Sequence, residues 1–406
     1  MSKLSYLDKL LDGVVVEWKT LGEVAKYIRG LTYSKSNESA DGQGYRVLRA
    51  NNITLSSNCL NLNDVKVVKF DTKVKDSQKL YKDDILISAA SGSREHVGKV
   101  AYIESDIDYY FGGFMGVVRC DEKLNPRYLF HVLTSDIFQK YLDEMLNSST
   151  INNLNSAVMG GFKIPIPCPN KPDKSLAIQS EIVRILDKFT ALTAELTAEL
   201  NMRKKQYNYY RDQLLSFEEG EVEWKTLGDL GENLDSKRKP ITSGLREAGS
   251  IPYYGASGIV DYVKDYIFDG DFLLISEDGA NLLARNTPIA FSISGKSWVN
   301  NHAHVIKFDS YAERRYVEYY LNSIDLSPYI SGAAQPKLNK KNLESIRIPN
   351  PSPEDKERIV SILDKFDALT NSINEGLPRE IELRQKQYEH YRDLLFSFPK
   401  PETASN

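Results

Sequence analysis

The sequence predicts a mixed α/β (α+β) protein, in which two globular modules are separated by two long antiparallel coiled-coil helices in a pseudo-two-fold repeat. Two duplicated sequence blocks and the heptad-like apolar spacing of both helices predict this fold. The expected segments are a first module at 1–174, a first long helix at 175–220, a second module at 221–353, and a second long helix with a tail at 354–406.

The duplicated blocks show that the frame of the chain occurs twice. Val16–Gly22 (Val-Glu-Trp-Lys-Thr-Leu-Gly) returns unchanged at Val222–Gly228, and Ile185–Phe189 (Ile-Leu-Asp-Lys-Phe) returns at Ile362–Phe366. Chance identity over seven residues that include Trp is negligible. The stretches between the blocks differ in length and show little similarity. A shared frame with divergent inserts indicates the same mechanical role in both halves and a different target for each insert.

The beginning of the chain resembles the segment that precedes the second module. Tyr6–Gly13 is similar to Tyr210–Phe217, which leads into the second Trp block. We therefore expect a ring-like arrangement, in which the C-terminal helix returns near the N-terminus and restores a pseudo-two-fold axis.

Apolar residues at steps of three and four predict the two long helices. The first seam comprises Ile182, Leu186, Phe189, Leu192, Leu196, Leu200, Tyr207, Tyr210 and Leu214. The second comprises Ile359, Leu363, Phe366, Leu369, Ile373, Leu377, Ile381, Tyr388, Tyr391 and Leu395. At ~1.5 Å per residue, a helix of about 38–40 residues would span about 60 Å. Gly376 and Pro378 should kink or break the second helix, and the sequence leaves open whether it is one helix or two.

Each module has the alternation of short strands and helices that a mixed α/β fold requires. Strands are predicted at Asp84–Ser88 and Asp271–Ser276, and helices follow at Pro126–Leu142 and Ala312–Leu321. Proline-punctuated strands then close the modules, at Gly161–Pro167 and Leu343–Pro349.

Bulk composition predicts a soluble cytoplasmic protein. No apolar run approaches the ~20 residues of a membrane span, no secretory signal is visible, and the three cysteines are scattered. The net charge of −4 argues mildly against nucleic-acid binding, unless charge is segregated or a partner supplies phosphate contacts.

Catalytic motifs are weak. Phe111–Gly116 superficially resembles the glycine-rich loop of methyltransferases, but its glycines are misplaced and the matching Asn/Asp-Pro-Pro-aromatic motif is missing. Glu17–Lys19 and Glu223–Lys225 match half of a nuclease site, and we interpret them as structural turns. No phosphate-binding Gly-Lys-Ser/Thr loop occurs. His302 and His304 could bind a metal, but base contacts or a core strand are the favoured interpretations.

Taken together, these motifs resemble the specificity subunit of Type I restriction–modification systems over essentially the whole chain. The resemblance rests on the duplicated helix motifs, the Thr-Ala-Glu-Leu repeats at Thr193–Leu200 and the two Ile-Pro module ends. In the second module it rests on Tyr253–Gly258, Trp298–His304 and Ser331–Leu338. The Thr-Ala-Glu-Leu repeats point to the IC subfamily.

The resemblance implies a DNA-recognition protein without catalytic residues, a metal or a cofactor of its own. Two target-recognition domains would each read one half of a bipartite, asymmetric site in double-stranded DNA. The long helices would set the gap and dock two modification (methyltransferase) subunits, which use S-adenosylmethionine. Restriction subunits, with ATP and Mg, would add translocation and cleavage. The rival interpretation is a coiled-coil scaffold that joins two protein-binding modules without DNA.

Residues that can donate to base edges or phosphates are the candidate DNA contacts. In the first module these are Arg46, Arg49, Asn51, Asn52, Ser93, Arg94, His96, Lys99 and Asn152. In the second they are Lys237, Arg238, Lys239, Tyr254, Ser257, Asn281, Arg285, Asn301, His302, Gln335 and Lys337. Each could equally be a solvated loop residue. The candidate docking residues for partner subunits are Phe189, Leu196, Leu200, Tyr207, Phe366, Ile373 and Tyr388.

Overall fold

The chain divides into two compact units. A computed structural model describes residues 13–55, 57–91, 94–147, 153–218, 220–332, 335–372 and 374–398. The first unit contains residues up to Glu195 together with those from Ile381 onward, and the second is Leu196–Glu380. Each unit therefore combines one predicted module with helical segments from the middle and the end of the chain. Within the described ranges, no helix has the length and apolarity needed to cross a membrane.

The first unit is a mixed α/β body with small sheets. Its strands are β1 (Val16–Thr20), β2 (Ala25–Arg29), β3 (Tyr45–Leu48), β4 (Ile53–Thr54), β5 (Cys59–Leu60), β6 (Lys66–Val68), β7 (Ile85–Ser88), β8 (Val100–Tyr102), β9 (Tyr110–Phe111), β10 (Met115–Cys120) and β11 (Lys163–Pro167). Its helices are α1 (Leu21–Val24), α2 (Pro126–Leu133), α3 (Asp136–Asn147), α4 (Ser156–Gly161) and the first part of the long α5 (Pro172–Leu215).

The second unit repeats this plan with longer strands. Its strands are β12 (Glu223–Thr226), β13 (Glu232–Asn233), β14 (Ala248–Gly255), β15 (Gly258–Val263), β16 (Phe268–Ser276), β17 (Ala290–Val299), β18 (Ala303–Lys307) and β19 (Arg347–Asn350). Its helices are α6 (Leu227–Leu230), α7 (Asn281–Ala284), α8 (Tyr311–Ser323), α9 (Lys340–Glu344) and α10 (Pro353–Thr370), and α11 (Gly376–Leu395) begins at its end.

The two modules share a sheet topology that the sequence did not reveal. The order β2-β10-β7-β8 in the first unit corresponds to β13-β18-β16-β17 in the second. Each unit also has one parallel pair of strands. In the first unit β3 is parallel to β9, and in the second β14 is parallel to β17. The register fixes the correspondence, since Ser88 lies opposite Met115 and Ser276 lies opposite Ala303.

The duplicated Trp block closes each module by pairing with the Ile-Pro strand. β1 is antiparallel to β11 with Trp18 opposite Pro165, and β12 is antiparallel to β19 with Trp224 opposite Pro349. The predicted turns at Glu17–Lys19 and Glu223–Lys225 are therefore wrong. Proline is tolerated here because these two-stranded sheets leave one side of each strand without a ladder partner.

A turn of helix begins within each Trp block because the threonine of the block caps it. The backbone N–H and the hydroxyl of Thr20 both donate to Glu23 Oε2, at 2.7 and 2.6 Å. Thr226 makes the same pair of bonds to Asp229. This is the capping-box pattern, which satisfies backbone donors at a helix start.

The long helices differ in continuity. α5 is a single helix of 44 residues, whereas the second seam is split into α10 and α11. Gly376 has φ +75°, and a Cβ there would lie 2.3 Å from the carbonyl oxygen of Ala368. Only glycine fits this position, and Pro378 lies in the first turn of α11, where proline is tolerated. The possibility that the sequence left open is thus decided in favour of two helices.

The C-terminal segment completes the first unit. Leu395, Phe396 and Phe398 are buried in the same core as the residues of α2 to α5, and the rings of Phe396 and Tyr128 meet edge to face at 5.5 Å. In the second unit, Leu215 at the end of α5 is buried in the corresponding core. The C-terminal helix thus returns to the first unit, but residues 1–12, near which it is expected to lie, are outside the described residues, and the ring-like arrangement stays a prediction.

The aspartate of the duplicated Ile-Leu-Asp-Lys-Phe block fastens each module to its long helix. Asp187 accepts from Arg127 Nε at 3.1 Å and from His131 Nε2 at 2.9 Å. Since His131 Nε2 donates to a carboxylate, Nδ1 accepts from the hydroxyl of Tyr388, at 3.1 Å. In the second unit, Asp364 accepts from Arg315 at 3.0 Å and from Tyr319 at 2.7 Å.

In the first unit, burial and hydrogen bonding have opposite effects on the pKa values of His131 and Asp187. Burial lowers the pKa of His131, although the Asp187 carboxylate opposes this effect, so the ring is held neutral. Burial alone would raise the pKa of Asp187, but the hydrogen bonds from His131 and Arg127 outweigh it and hold that pKa below its usual value.

Candidate nucleic-acid interface

In the second unit, four segments meet where the inner strands of the six-stranded sheet end, and we call this end of the sheet its edge. The backbone N–H of Glu277, just after β16, donates to the carbonyl of His302 at 2.9 Å. Leu338 N–H donates to Glu277 O at 2.7 Å, and Asn300 N–H donates to Tyr254 O at 3.0 Å. These bonds bring together the three motifs Tyr253–Gly258, Trp298–His304 and Ser331–Leu338, of which 333–334 lie outside the described residues.

A network of four charged side chains and one histidine lies beneath this edge. Arg238 Nη1 lies 2.6 Å from Glu277 Oε2, and its Nη2 lies 3.3 Å from Asp235 Oδ2. Lys337 Nζ lies 3.1 Å from Glu277 Oε1, and His304 Nδ1 lies 2.6 Å from Asp235 Oδ2. Burial would raise the pKa of Glu277, but its bond from Arg238 and the other neighbouring cations hold that pKa below its ordinary value.

Three residues of this network are also spaced as the ligands of a metal ion would be. Ligand atoms of Asp235, Glu277 and His304 lie within 4.8 Å of one another. Both carboxylates already contact cations, and both ring nitrogens of His304 face oxygen acceptors, the second being Leu338 O at 2.7 Å from Nε2. The residues therefore form an ion-pair network rather than a metal centre. His304 is 1% exposed on β18, which confirms the core-strand interpretation for this residue.

The first unit has the same edge, built from different side chains. Ala89 N–H donates to Phe114 O at 2.8 Å, Leu154 N–H to Ala89 O at 2.7 Å, and Gly112 N–H to Leu48 O at 2.9 Å. Bond for bond, Ala89 thus takes the position of Glu277, and Phe114 that of His302. The glycine-rich Phe111–Gly116 segment is the counterpart of Val299–His304.

One arginine takes the place of the charged network in the first unit. Arg29, opposite Gly116 in the β2–β10 ladder, donates from Nη1 to Leu154 O and Asn153 Oδ1, both at 3.0 Å, and from Nη2 to Gly113 O at 3.2 Å. It joins two loops of the edge. Sequence reasoning missed Arg29, because only the strand register shows which loops it reaches.

The candidate residues of the first module divide into surface and internal positions. Arg46 and Asn51 are exposed, and Arg49 is half-buried. Arg49 and Asn51 both bind the Asp64 carboxylate, at 2.9 and 3.0 Å. Arg94 pairs with Asp143 at 2.8 Å, and His96 is half-buried.

Two candidates of the first module need correction. Asn52 is 1% exposed, and its amide donates to Asn61 O at 2.8 Å and Asp64 O at 2.9 Å. Its side chain therefore holds the loop and has no atoms to offer to DNA. Lys99 is 9% exposed and is likewise internal. Ser93 and Asn152 lie outside the described residues.

In the second module most candidates do lie at the surface. Lys237, Lys239, Ser257, Asn301, His302, Gln335 and Lys337 are exposed, and Tyr254 is half-buried.

The exceptions in the second module are residues that hold loops. Arg238 belongs to the ion-pair network described above. Asn281 bonds the backbone of Thr287 twice, each at 3.0 Å. Arg285 donates to Ile324 O at 2.6 Å. These three side chains are committed within the chain, so we omit them from the candidate surface.

The candidate docking residues on the long helices mostly pack within the chain. Phe189 stacks on Tyr391 with ring centroids 5.2 Å apart, and Tyr207 packs against Phe366 at 6.3 Å. Tyr388 is bound to His131, as described above. Leu196 and Leu200 are half-buried, and Ile373 lies outside the described residues. The exposed apolar residues of these helices are Leu192, Met202, Tyr209, Tyr210, Leu383 and Tyr391.

Comparison with known proteins identifies the family. The family model described as the Type I restriction modification DNA specificity domain matches the chain twice, at residues 15–203 and 219–383. The EcoR124I/EcoR124II specificity subunit of Escherichia coli is 40% identical over 431 residues, which cover 100% of both chains. The EcoprrI specificity subunit of E. coli is 38% identical over 92% of this chain and 93% of that protein.

Solved structures show the same fold. The S subunit of a Type I restriction–modification system from M. genitalium aligns with a TM-score of 0.57 and 16% identity, covering 96% of this chain and 98% of that one. Assignment to the IC subfamily stays a prediction. The two matches of the family model and the full-length similarity together show that the chain belongs to the family of Type I restriction–modification specificity subunits.

Proposed function

We propose that this chain selects the DNA sequence on which a Type I restriction–modification complex acts, and that each module reads one half of a bipartite site. One observation carries the proposal. The two units fix the same sheet edge with the same three backbone hydrogen bonds, yet present different side chains there. A backbone arrangement that both units share, with unlike side chains, suits two readers of different sequences.

The side chains left at the two surfaces suit both parts of DNA recognition. In the second module, Asn301 and Gln335 offer amides that can pair with base edges, and Lys237 and Lys239 offer phosphate contacts. In the first module, Arg46, Arg49, Asn51, Arg94 and His96 remain candidates. Several of these are paired with exposed carboxylates. Such surface pairs stabilise by at most about 1 kcal/mol, so DNA phosphates can displace them at little cost.

The long helices have a separate proposed role, which is to set the gap and to dock partners. The boundary between the compact units falls at Glu195 and Leu196, inside the Thr-Ala-Glu-Leu repeats of Thr193–Leu200. An uninterrupted helix at this point suits a spacer. Two modification subunits would dock on the exposed apolar residues of the helices. Adenine methylation with S-adenosylmethionine, and ATP- and Mg-dependent translocation and cleavage, would reside on the partner subunits.

The test is DNA binding by the chain assembled with its modification subunits. We expect sequence-selective affinity for duplex DNA that falls steeply with salt, because bound phosphates release counterions. Sequencing of methylated DNA from cells that express the complex should reveal a two-part motif. Affinity without salt dependence, together with no methylation motif, would favour the scaffold alternative.

A further inference from the structure

We infer that Phe114 reads a thymine in the half-site of the first module, through contact of its phenyl ring with the 5-methyl group in the major groove. The inference rests on the proposed function and adds a residue to it. Neither the glycine-rich segment nor its phenylalanine is among the polar candidates.

The position of Phe114 carries the argument. Its carbonyl accepts from Ala89 N–H at 2.8 Å and from Ala90 N–H at 3.0 Å. The first bond is the counterpart of the one between Glu277 and His302 in the second module. Phe114 therefore occupies the place of an exposed, polar candidate for base contact, at the same edge of an equivalent sheet.

The loop that carries Phe114 is held on both sides. Arg29 donates to the carbonyl of Gly113, the preceding residue, at 3.2 Å. A Cβ on Gly113 would lie 3.2 Å from the hydroxyl of Thr32 and 3.4 Å from Leu31 O, so glycine lets the loop lie close to the neighbouring backbone. A side chain on a fixed backbone can make a contact of defined geometry, as sequence reading requires.

The exposure of Phe114 is unlike that of its neighbours. Its side chain is 73% exposed, whereas Phe111, three residues earlier, is fully buried. A phenyl ring cannot hydrogen-bond, so it cannot satisfy the polar edges of guanine, cytosine or adenine. The thymine methyl is the apolar group displayed in the major groove, and apolar side chains recognise it by contact.

The experiment uses the chain assembled with its modification subunits and duplex oligonucleotides that carry the motif found by methylation sequencing. Each thymine of the half-site assigned to the first module is replaced in turn by deoxyuridine, which lacks only the methyl. We expect one replacement to weaken wild-type binding about fourfold, the effect of about one buried methyl group. The Phe114→Ala complex should not respond to that replacement, whereas Phe114→Leu should keep part of the response.

Phe70→Ala is the matched control, since Phe70 lies in the same unit, makes none of the hydrogen bonds that define this edge, and is 65% exposed. It should respond as the wild type does. Equal responses of wild type and Phe114→Ala, or a half-site without thymine, would overturn the inference. Uniform weakening by Phe114→Ala on all sequences, without a deoxyuridine effect, would also overturn it and indicate insertion between base pairs. If the wild-type complex itself lacks sequence preference, the proposed function fails as well.

Discussion

The sheet edges described in the two units have the same backbone arrangement but carry different side chains. In the first unit, Arg29 donates hydrogen bonds to the carbonyl oxygens of both loops, and the hydroxyl of Tyr27 donates to one of the same carbonyls. In the second, the acids Asp235 and Glu277 are held between Arg238, Lys337 and His304. The backbone bonds set the positions of the loops, so the side chains can vary. Divergent specificity on a duplicated frame therefore needs no change of fold.

Deleting Thr197–Leu200 should have the largest effect on the methylated motif. The deletion shortens the long helix and leaves the side chains of both edges in place. Removing four residues shortens α5 by ~6 Å. This corresponds to one or two base pairs at ~3.4 Å each, so methylation of the original motif should be lost.

Methylation sequencing of this deletion should return both half-sites with a shorter gap. An unchanged gap would rule out the helix as a spacer, and altered half-sites would show that the helix also shapes the edges.

Glu277→Ala should have the largest effect on stability among the single substitutions in the two edges. Glu277 bonds to Arg238 at 2.6 Å, and its side chain is 12% exposed. Removing it breaks this buried ion pair and leaves Arg238, whose side chain is 13% exposed, with only the longer ion pair to Asp235, which costs about 3 kcal/mol. Urea unfolding measures this loss. Glu247→Ala, which breaks the exposed pair with Lys264, is the control and should cost less than about 1 kcal/mol. Equal losses would show that the network is not structural.

Arg29→Met should destabilise the first unit by less than Glu277→Ala destabilises the second. The carbonyls of Leu154 and Gly113 each lose a donor, for a cost of about 2 kcal/mol. Because the loop that bears Phe114 is then less firmly held, discrimination within the first half-site should fall while the second stays unchanged. Unfolding and methylation sequencing of the same variant test both statements. Loss of discrimination in both halves would contradict the division of labour between the edges.

The pH dependence of stability should differ between the contact of Asp187 with His131 and a contact of the kind that Asp364 makes with Tyr319. Burial lowers the folded-state pKa of His131 from 6.5, so below about pH 6.5 the unfolded chain binds more protons than the folded one. Stability is then lost as pH falls, by up to about 1.4 kcal/mol per pH unit. His131→Tyr copies Tyr319 of the second unit and should flatten this slope between pH 6.5 and 5.

Urea unfolding can follow Trp18 alone if Trp224 and Trp298 are replaced by Phe, since the chain has three tryptophans. The comparison in that background is between the chain that keeps His131 and the chain that carries His131→Tyr. Parallel slopes would mean that His131 takes up its proton equally in the folded and unfolded states.

The sequence predicted what local patterns and repetition determine. It located the long helix of the first half, the closing strands and the second-module motifs that meet at one edge. It missed Arg29 and Phe114, because their roles follow from strand register between residues far apart in the chain. It misplaced Asn52, since nothing local shows that a polar loop residue is buried. Glu17–Lys19 became a strand because its partner, β11, lies about 145 residues further along the chain.

The central claim is that each edge reads its own half-site, and one measurement tests it directly. The variants are His302→Ala with Gln335→Ala at the second edge, and Phe114→Ala at the first. Methylated sites should be sequenced in cells that express each variant with the modification subunits. The account predicts that each variant relaxes one half of the motif, a different half in each case, and leaves the gap unchanged. Relaxation of the same half by both variants, or of neither half by either, would contradict it.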